Sequence, residues 1–245
     1  MIENVPHEQQ KSRAVQEMFT AIAPRYDFLN RLLSLGIDQQ WRQFVGRRLA
    51  DLDHPQVLDV ACGTADLSLA IRKGNRQAKV VGLDFSTQML TLAQEKIRQL
   101  SEADGLDLLA GSAEDLPFAD QSFDALTIAF GIRNVIDRPR ALREFCRVMK
   151  PGARLVILEF SLPDQFLLRA LYRLYFLKIL PLIGGLFARK SAYKYLPESV
   201  VKFPERDEFT RMVKGAGFSK LRYHPLTGGI VTVYLGEKIY INQGG

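Results

Sequence analysis

An α/β fold is predicted by this sequence: a mostly parallel β-sheet with helices on both faces. Three observations predict it. Apolar runs alternate with helical stretches from Gln56 to Phe160, the pattern of strands joined by crossover helices. The first run ends in a turn of small residues, Ala61-Cys-Gly-Thr-Ala65, and the second ends on an acid, Asp84. A strand, a tight turn, a helix N-terminus and a second strand closing on a carboxylate form a βαβ unit.

Each element follows in order. Residues 11–50 read as helical, rich in arginine and in the aromatics Phe19, Tyr26, Phe28, Trp41 and Phe44, with breaks at Pro24 and Gly36. Asp51 to Pro55 is a linker. A strand over Gln56–Val60 leads through the small-residue turn into a helix from Thr64 to Lys73. Lys79–Asp84 is the second strand and Ser86–Leu100 the next helix. Met89, Ala93, Ile97 and Leu100 form one apolar stripe along it, and Ser86 suits its N-cap. Strands follow near Leu106–Ala110 and at Phe123–Phe130, then a helix at Pro139–Met149 and a strand at Arg154–Phe160. Lys150-Pro-Gly-Ala153 separates the last two as a turn. A helix near Asp207–Gly215 precedes strands at Lys220–Pro225 and Ile230–Glu237, a hairpin at the sheet edge.

The stretch Phe166 to Leu186 departs from this alternation. It is dense in Leu, Phe, Tyr and Ile, but Arg169, Arg173, Lys178 and Pro181 interrupt it. A membrane-spanning helix needs about 20 nearly uncharged residues, so it does not read as one. Two readings stay open: an amphipathic element lying at a membrane interface, or a buried helix followed by a loop through Gly184-Gly185.

Length and composition bound the function. The chain has 245 residues, 47% hydrophobic and 24% charged, with a formal net charge of +6. One domain with elaborations is the default, large enough for a sizeable core. The modest basic excess suits an anionic ligand or membrane surface, or simply a solvated surface. Cys62 and Cys146 lack metal-binding spacing and His7, His54 and His224 are scattered, so no metal site is expected. Reduced thiols and the absence of a basic and apolar leader in Met1–Glu8 point to a cytoplasmic protein.

The turn narrows the ligand. Dinucleotide sites read G-x-G-x-x-G, and their helix N-terminus serves a pyrophosphate. Here the same positions read Ala61-x-Gly63-x-x-Asp66. An aspartate at the helix start repels a phosphate. It does not disfavour a cofactor that lacks phosphate and carries a cation, as S-adenosylmethionine does. Asp84 stands about as far along as the ribose-binding acid of a βαβ unit, roughly 20 residues past the turn.

Four segments carry a resemblance to a known family. They are Phe19–Gly36 (with Tyr26-Asp-Phe-Leu-Asn30) followed by Trp41-Arg42; the cofactor turn; Ala113–Phe118 through Phe130-Gly-Ile-Arg-Asn-Val135 to Leu158-Glu-Phe-Ser161; and Tyr193-Lys-Tyr-Leu-Pro-Glu-Ser199 with Leu226–Ile230. The chain resembles class I S-adenosylmethionine-dependent methyltransferases. More narrowly, it resembles the C-methyltransferases of ubiquinone, menaquinone and phylloquinone biosynthesis. The resemblance implies a Rossmann-like fold with a mostly parallel seven-stranded sheet, helices on both faces and a C-terminal antiparallel hairpin. It implies an N-terminal helical cap on the substrate side over residues 1–50. A cofactor-binding domain follows over 51–245, with an apolar insertion near 162–200. Cofactor positions carry over to Asp59, Ala61, Gly63, Thr64, Asp84, Phe85, Ser112 and Ala113. Two departures stand out. Ala61 and Ala65 occupy places where relatives often have glycine, and a methyl group limits backbone approach there. Ala129 lacks the hydroxyl that some relatives carry.

Methylating a quinol carbon requires electron density on the ring, which an ionised neighbouring hydroxyl provides. The protein must recognise that oxygen, accept its proton, exclude water and house an isoprenoid-like tail. Arg133 and Asn134 are the first candidates, since they follow the fourth strand at the carboxyl edge, where open α/β sheets bind ligands. Arginine stays protonated, so it stabilises a phenolate but cannot serve as the base. Tyr26 and Asp27 are the second candidates, Asp27 as a proton acceptor or, equally, as a cap or ion-pair partner. Glu159 reads as an ion-pair partner and His224 as structural. The implied partner is a prenylated quinol, met by a cytoplasmic protein peripheral at a membrane surface.

The favoured acceptor is a naphthoquinol of the menaquinone or phylloquinone type, with the benzoquinol of ubiquinone biosynthesis as the alternative. A sterol or fatty chain lacks the polar quinol head that Arg133-Asn134 would meet. No nucleic-acid partner is expected, because Lys and Arg are dispersed and no stacking sheet motif is visible. A non-enzymatic NAD-binding scaffold is disfavoured by Asp66.

Overall fold

The protein is described from a computed structural model covering residues 20, 23–100, 104–165, 169 and 190–240. Phe19 and the segment 166–186, apart from Arg169, lie outside the described residues. The order is a short 3-10 turn Ala23–Arg25, α1 (Tyr26–Leu33), α2 (Ile37–Arg47), β1 (Gln56–Val60), α3 (Asp66–Gly74), β2 (Lys79–Asp84) and α4 (Thr87–Arg98). There follow β3 (Leu106–Ala110), β4 (Phe123–Ala129), a 3-10 turn Ile132–Asn134, α5 (Arg138–Val148) and β5 (Met149–Phe160). The chain continues through α6 (Lys190–Val201), α7 (Arg206–Gly215), β6 (Phe218–Leu226), a 3-10 turn Thr227–Gly229 and β7 (Val231–Lys238).

The seven strands form one sheet in the order β3-β2-β1-β4-β5-β7-β6. The first five are parallel, and β7 runs antiparallel between β5 and β6. The fold is therefore the seven-stranded α/β architecture with an antiparallel hairpin at its end. β1 pairs with both β2 and β4, so the strand order reverses there. A crevice opens at the carboxyl ends of strands on either side of such a reversal.

Alternation along the strands feeds two core layers. Leu58, Val60, Leu126, Ile128, Leu155 and Ile157 pack with Leu142 and Phe145 of α5 and Phe209 and Val213 of α7. Val57, Ala125, Val156 and Leu158 face the other way, against Val45 of α2, Leu67 and Ile71 of α3 and Ala93 of α4. Helices on both faces thus cover a sheet whose central strands are apolar on both sides. α2 sits so close to α3 that a Cβ on Gly46 would stand 2.6 Å from the carbonyl oxygen of Ala70.

Most element ends shift by a residue or two from the sequence reading, and three of the shifts have a local reason. The helix after the turn starts at Asp66 rather than Thr64, because Ala65 takes a left-handed φ of 65°. β5 begins at Met149, which pairs with Phe123, so the chain passes Lys150-Pro-Gly-Ala153 as a bulged strand rather than a separating turn. Gly152 permits this with φ of 75°. β6 runs from Phe218 and contains Pro225, which an edge strand tolerates since its N–H side needs no partner. Ser86 caps α4 as expected, its hydroxyl accepting from the Met89 N–H at 3.4 Å.

Candidate active site

The cleft at the strand reversal has a volume of about 230 Å³. Its walls include Ala61 and Gly63 from the turn, Asp84 and Phe85 after β2, Ser112 and Ala113 after β3, and Ala129, Phe130 and Asn134 after β4. Tyr26 closes it from α1. Of the cofactor positions implied by resemblance, the structure brings Ala61, Gly63, Asp84, Phe85, Ser112 and Ala113 into one wall. Asp59 and Thr64 are not among the lining residues.

Three of the eight described non-glycine residues with positive φ lie in or beside this cleft. Ala61 and Ala65 have φ of 52° and 65°, Gly63 of 57° and Phe130 of 57°. Glycine enters this left-handed region freely, whereas a side chain costs roughly 1–2 kcal/mol there. The two alanines standing in for glycine are thus conformationally stressed, and so is a bulky phenylalanine. Side chains in such conformations persist where surrounding structure compels them, and they cluster at functional sites.

Asp84 is nearly buried, 5% exposed. One oxygen accepts from the Gly63 N–H and the other from the Ser86 N–H, both at 2.8 Å. Burial raises its pKa, while the N–H groups of Ser86, Gly63 and Phe85 pull it back. A carboxylate offers about four acceptor positions, so these N–H groups leave it acceptor capacity for a ribose hydroxyl.

Asp66 explains why no phosphate belongs at the α3 N-terminus. Lys96 donates to its Oδ1 at 2.9 Å and Arg31 to its Oδ2 at 3.0 Å. Burial alone would raise its pKa, but the cations Arg42, Lys96 and Arg31 outweigh it and hold the carboxyl below the usual range. The helix terminus is therefore served by the protein's own anion. A diol-binding acid, half-apolar walls and an anion-filled helix start fit a cofactor such as S-adenosylmethionine. Among the described residues, no group of three His, Cys, Asp or Glu side chains is placed to hold a metal ion.

Asp27 and Thr64 turn to one another rather than into the cleft. The Thr64 hydroxyl donates to Asp27 Oδ1 at 2.6 Å, and Lys96 pairs with Asp27 Oδ2. Asp27 thus has the ion-pair role that the sequence left open beside that of proton acceptor. The network of Asp27, Lys96, Asp66 and Arg31 ties α1 across α4 and the start of α3. Tyr26 is held over the turn, its Cε1 3.9 Å from where a Gly63 Cβ would stand. Burial raises the Tyr26 pKa, against the opposing influences of Arg42, Asn30 and Arg133. It is a neutral phenol at pH 7.

Arg133 and Asn134 occupy the 3-10 turn after β4, as their position in the sequence suggested, but their side chains part company. Asn134 lines the cleft. Arg133 does not; it is 8% exposed, and its Nη1 donates to Glu159 Oε1 at 2.8 Å and to the Phe130 carbonyl. Glu159, fully buried, also accepts from the backbone N–H of Arg133 at 3.1 Å and of Phe160 at 2.8 Å. The guanidinium lies 5.3 Å from the Phe160 ring centroid, and its Nε is buried without a hydrogen-bond partner. Beside it Trp41, Phe130 and Phe160 form a ring cluster with centroids 4.5–6.4 Å apart. The Trp41 indole is anchored by Thr227 Oγ1 at 2.9 Å. His224 lies on the edge strand against Phe44, ring centroids 6.1 Å apart.

Asp59 lies within β1, where Ser68 and Thr127 hydroxyls donate to its two oxygens at 2.6 and 2.8 Å. Burial raises its pKa from 3.8 to about 6, despite those hydrogen bonds. A carboxyl with a higher pKa folded than unfolded binds more protons in the folded state between the two values. Stability therefore falls as pH rises from about 3.8 to about 6, and the deficit persists above that. Each pH unit between the two values is worth about 1.4 kcal/mol. Asp59→Asn should accordingly raise stability at pH 7 by about 3 kcal/mol and leave it nearly unchanged at pH 3.5. Denaturant titrations at the two pH values check this; an equal gain at both would acquit Asp59.

Sequence reasoning passed over Arg42, Lys96 and Tyr195. Arg42 pairs with Asp38 and lies 5.4 Å from the Phe130 ring centroid. Tyr195, on α6, donates to Asn134 Oδ1 at 2.9 Å. Trp41-Arg42 and the segment around Tyr195 belong to the resemblance, but nothing in their spacing names a role.

Comparisons with known proteins place the chain in a family. The model of the ubiE/COQ5 methyltransferase family matches residues 7–238. The ubiquinone/menaquinone biosynthesis C-methyltransferase UbiE of Geotalea daltonii is 51% identical over 230 residues, covering 94% of this chain and 98% of that protein. The demethylmenaquinone methyltransferase of Deinococcus radiodurans is 46% identical over 237 residues, 96% of each chain. Among solved structures, the [4+2]-cyclase SpnF superposes with a TM-score of 0.69 at 15% identity, covering 93% of this chain and 96% of its own. At that identity the match speaks for the fold alone. The family match over nearly the whole chain speaks for more: the protein belongs to the ubiE/COQ5 methyltransferase family and is an S-adenosylmethionine-dependent C-methyltransferase.

Proposed function

We propose that the protein methylates a ring carbon of a prenylated naphthoquinol, the final ring methylation of a menaquinone- or phylloquinone-type pathway, at a membrane surface. One observation carries the reading. A single cleft has the Asp84 carboxylate in one part of its wall and the Asn134 amide in another, with the Trp41–Phe130–Phe160 rings adjoining Phe130. The name of the Deinococcus relative favours a naphthoquinol. The double name of the Geotalea relative keeps a benzoquinol as the second reading.

S-adenosylmethionine, when bound, supplies an electrophilic methyl group on a sulfonium. Asp84 would accept from the ribose, and Phe85, Ser112 and Ala113 would hold the adenine side. Asn134 donates to the acceptor oxygen from the wall. Arg133, fixed by Glu159, contributes positive charge behind Asn134 and favours the ionised form of that oxygen. Tyr26 holds the cofactor side closed, and the aromatic cluster excludes water from the reacting centre. The prenyl tail keeps the acceptor in the bilayer, so the protein would meet it at that surface. Among the described residues no helix is long and apolar enough to cross a membrane.

Anionic vesicles carrying either a prenylated naphthoquinol or a prenylated benzoquinol, each lacking its ring methyl group, test the assignment. Incubation with S-adenosylmethionine should add one methyl group to the naphthoquinol, read by mass spectrometry. Methylation of the benzoquinol alone would reverse the choice of ring.

A further inference from the structure

We propose that Tyr195 is a positioning residue for methyl transfer, its hydroxyl holding the Asn134 amide so that the amide nitrogen faces the acceptor oxygen. The inference rests on the reading of Asn134 as the group that meets that oxygen.

An asparagine amide has two chemically opposite ends, two N–H donors and a carbonyl acceptor. A phenol on its way to phenolate is stabilised by the first and repelled by the second. Something must therefore select which end the cleft presents. Tyr195 Oη donates to Asn134 Oδ1 at 2.9 Å, which ties up the carbonyl end. Among the described residues, the nitrogen end has one partner, the Phe130 carbonyl at 3.4 Å, long for such a bond. Its second hydrogen remains for a ligand in the cleft that Asn134 lines.

The rest of the turn is already held. Arg138 donates from Nε to the Ile132 carbonyl at 3.1 Å and from Nη2 to the Arg133 carbonyl at 2.7 Å. With the backbone clamped, rotation of the amide is the freedom left to control. Tyr195 suits the task because it stays a donor. Burial raises its pKa, and the neighbouring cations Arg133 and Arg138 only partly offset that. The residue comes from α6, which follows the apolar stretch in sequence and touches the active site through the Ile132–Asn134 turn. A purely structural Tyr195 would do no more than dock α6 on that turn, and the two roles separate experimentally.

Three variants are compared on a vesicle-borne prenylated naphthoquinol: Tyr195→Phe, Asn134→Ala and the two combined. Tyr195→Phe keeps the ring and removes one oxygen. It should lower kcat about tenfold, in keeping with the loss of one net hydrogen bond. Its affinity for S-adenosylhomocysteine and its melting temperature should stay at wild-type values. In the Asn134→Ala background the same change should cost nothing further, since there is no amide left to orient. Equal losses from Tyr195→Phe in both backgrounds, or wild-type turnover of Tyr195→Phe alone, would overturn the proposal. Wild-type turnover of Asn134→Ala would instead overturn the reading of Asn134, and this inference with it. Should Asn134→Ala melt well below wild type, Asn134→Leu restores the volume without a polar group and completes the same cycle.

Discussion

Asp84→Ala is expected to weaken binding of S-adenosylhomocysteine at least a hundredfold, because two hydrogen bonds to a charged acceptor are lost together. Each such bond contributes roughly 1.5–3 kcal/mol. The carboxylate has a second task, since it also receives the Gly63 and Ser86 N–H groups. Its removal leaves both donors without this partner beside a turn whose residues 61, 63 and 65 all have positive φ. The variant should therefore melt below wild type as well. Isothermal titration on the folded fraction isolates the binding loss, and unchanged affinity there would remove Asp84 from the cofactor site.

Arg133→Ala is expected to destabilise the fold by about 3–5 kcal/mol, the usual penalty for leaving one partner of a buried ion pair uncompensated. The stranded partner would be Glu159, which is 0% exposed. Turnover should vanish as well, but the single variant cannot separate the two causes. Adding Glu159→Gln removes the orphaned charge and should recover most of the stability, seen in denaturant titrations. Turnover of the double variant on a naphthoquinol should remain low, because the positive charge behind Asn134 is still missing. If the double variant recovers turnover along with stability, Arg133 serves the fold and not the chemistry.

Much of the fold was legible in the chain. Strand and helix alternation, the turn after β1 and the apolar stripes on α4 and the strands are local patterns with periods of about two and 3.6 residues. Local pattern predicts a parallel sheet with helices on both faces; the seven strands came with the family resemblance, and the strand order that places the crevice emerged with the structure. One wall of the cleft was legible in part. The turn and Asp84 stood out in the residues themselves, whereas Phe85, Ser112 and Ala113 came with the family resemblance; all line the cleft because they sit at or just beyond the ends of adjacent strands. The ends of elements were less legible. Met149 joins β5 because Phe123 offers it a partner, and Ala65 stays out of α3 because its φ is left-handed. Neither is visible in the residues themselves.

The class of site was written in the chain: an acid at the end of the second strand beside a turn unsuited to phosphate, with Asn134 following the fourth strand. The division of labour among its polar side chains was not, and it emerged with the packing. Adjacent in the chain, Arg133 turns to Glu159 while Asn134 faces the cleft; Asp27 spends its oxygens on Thr64 and Lys96; Tyr195 reaches Asn134 from 61 residues away. A buried polar group must find a partner, and the partner is whichever group the packing brings within about 3 Å. That choice depends on how α1, α4, β5 and α6 meet in space, across sequence separations over which no local pattern carries information.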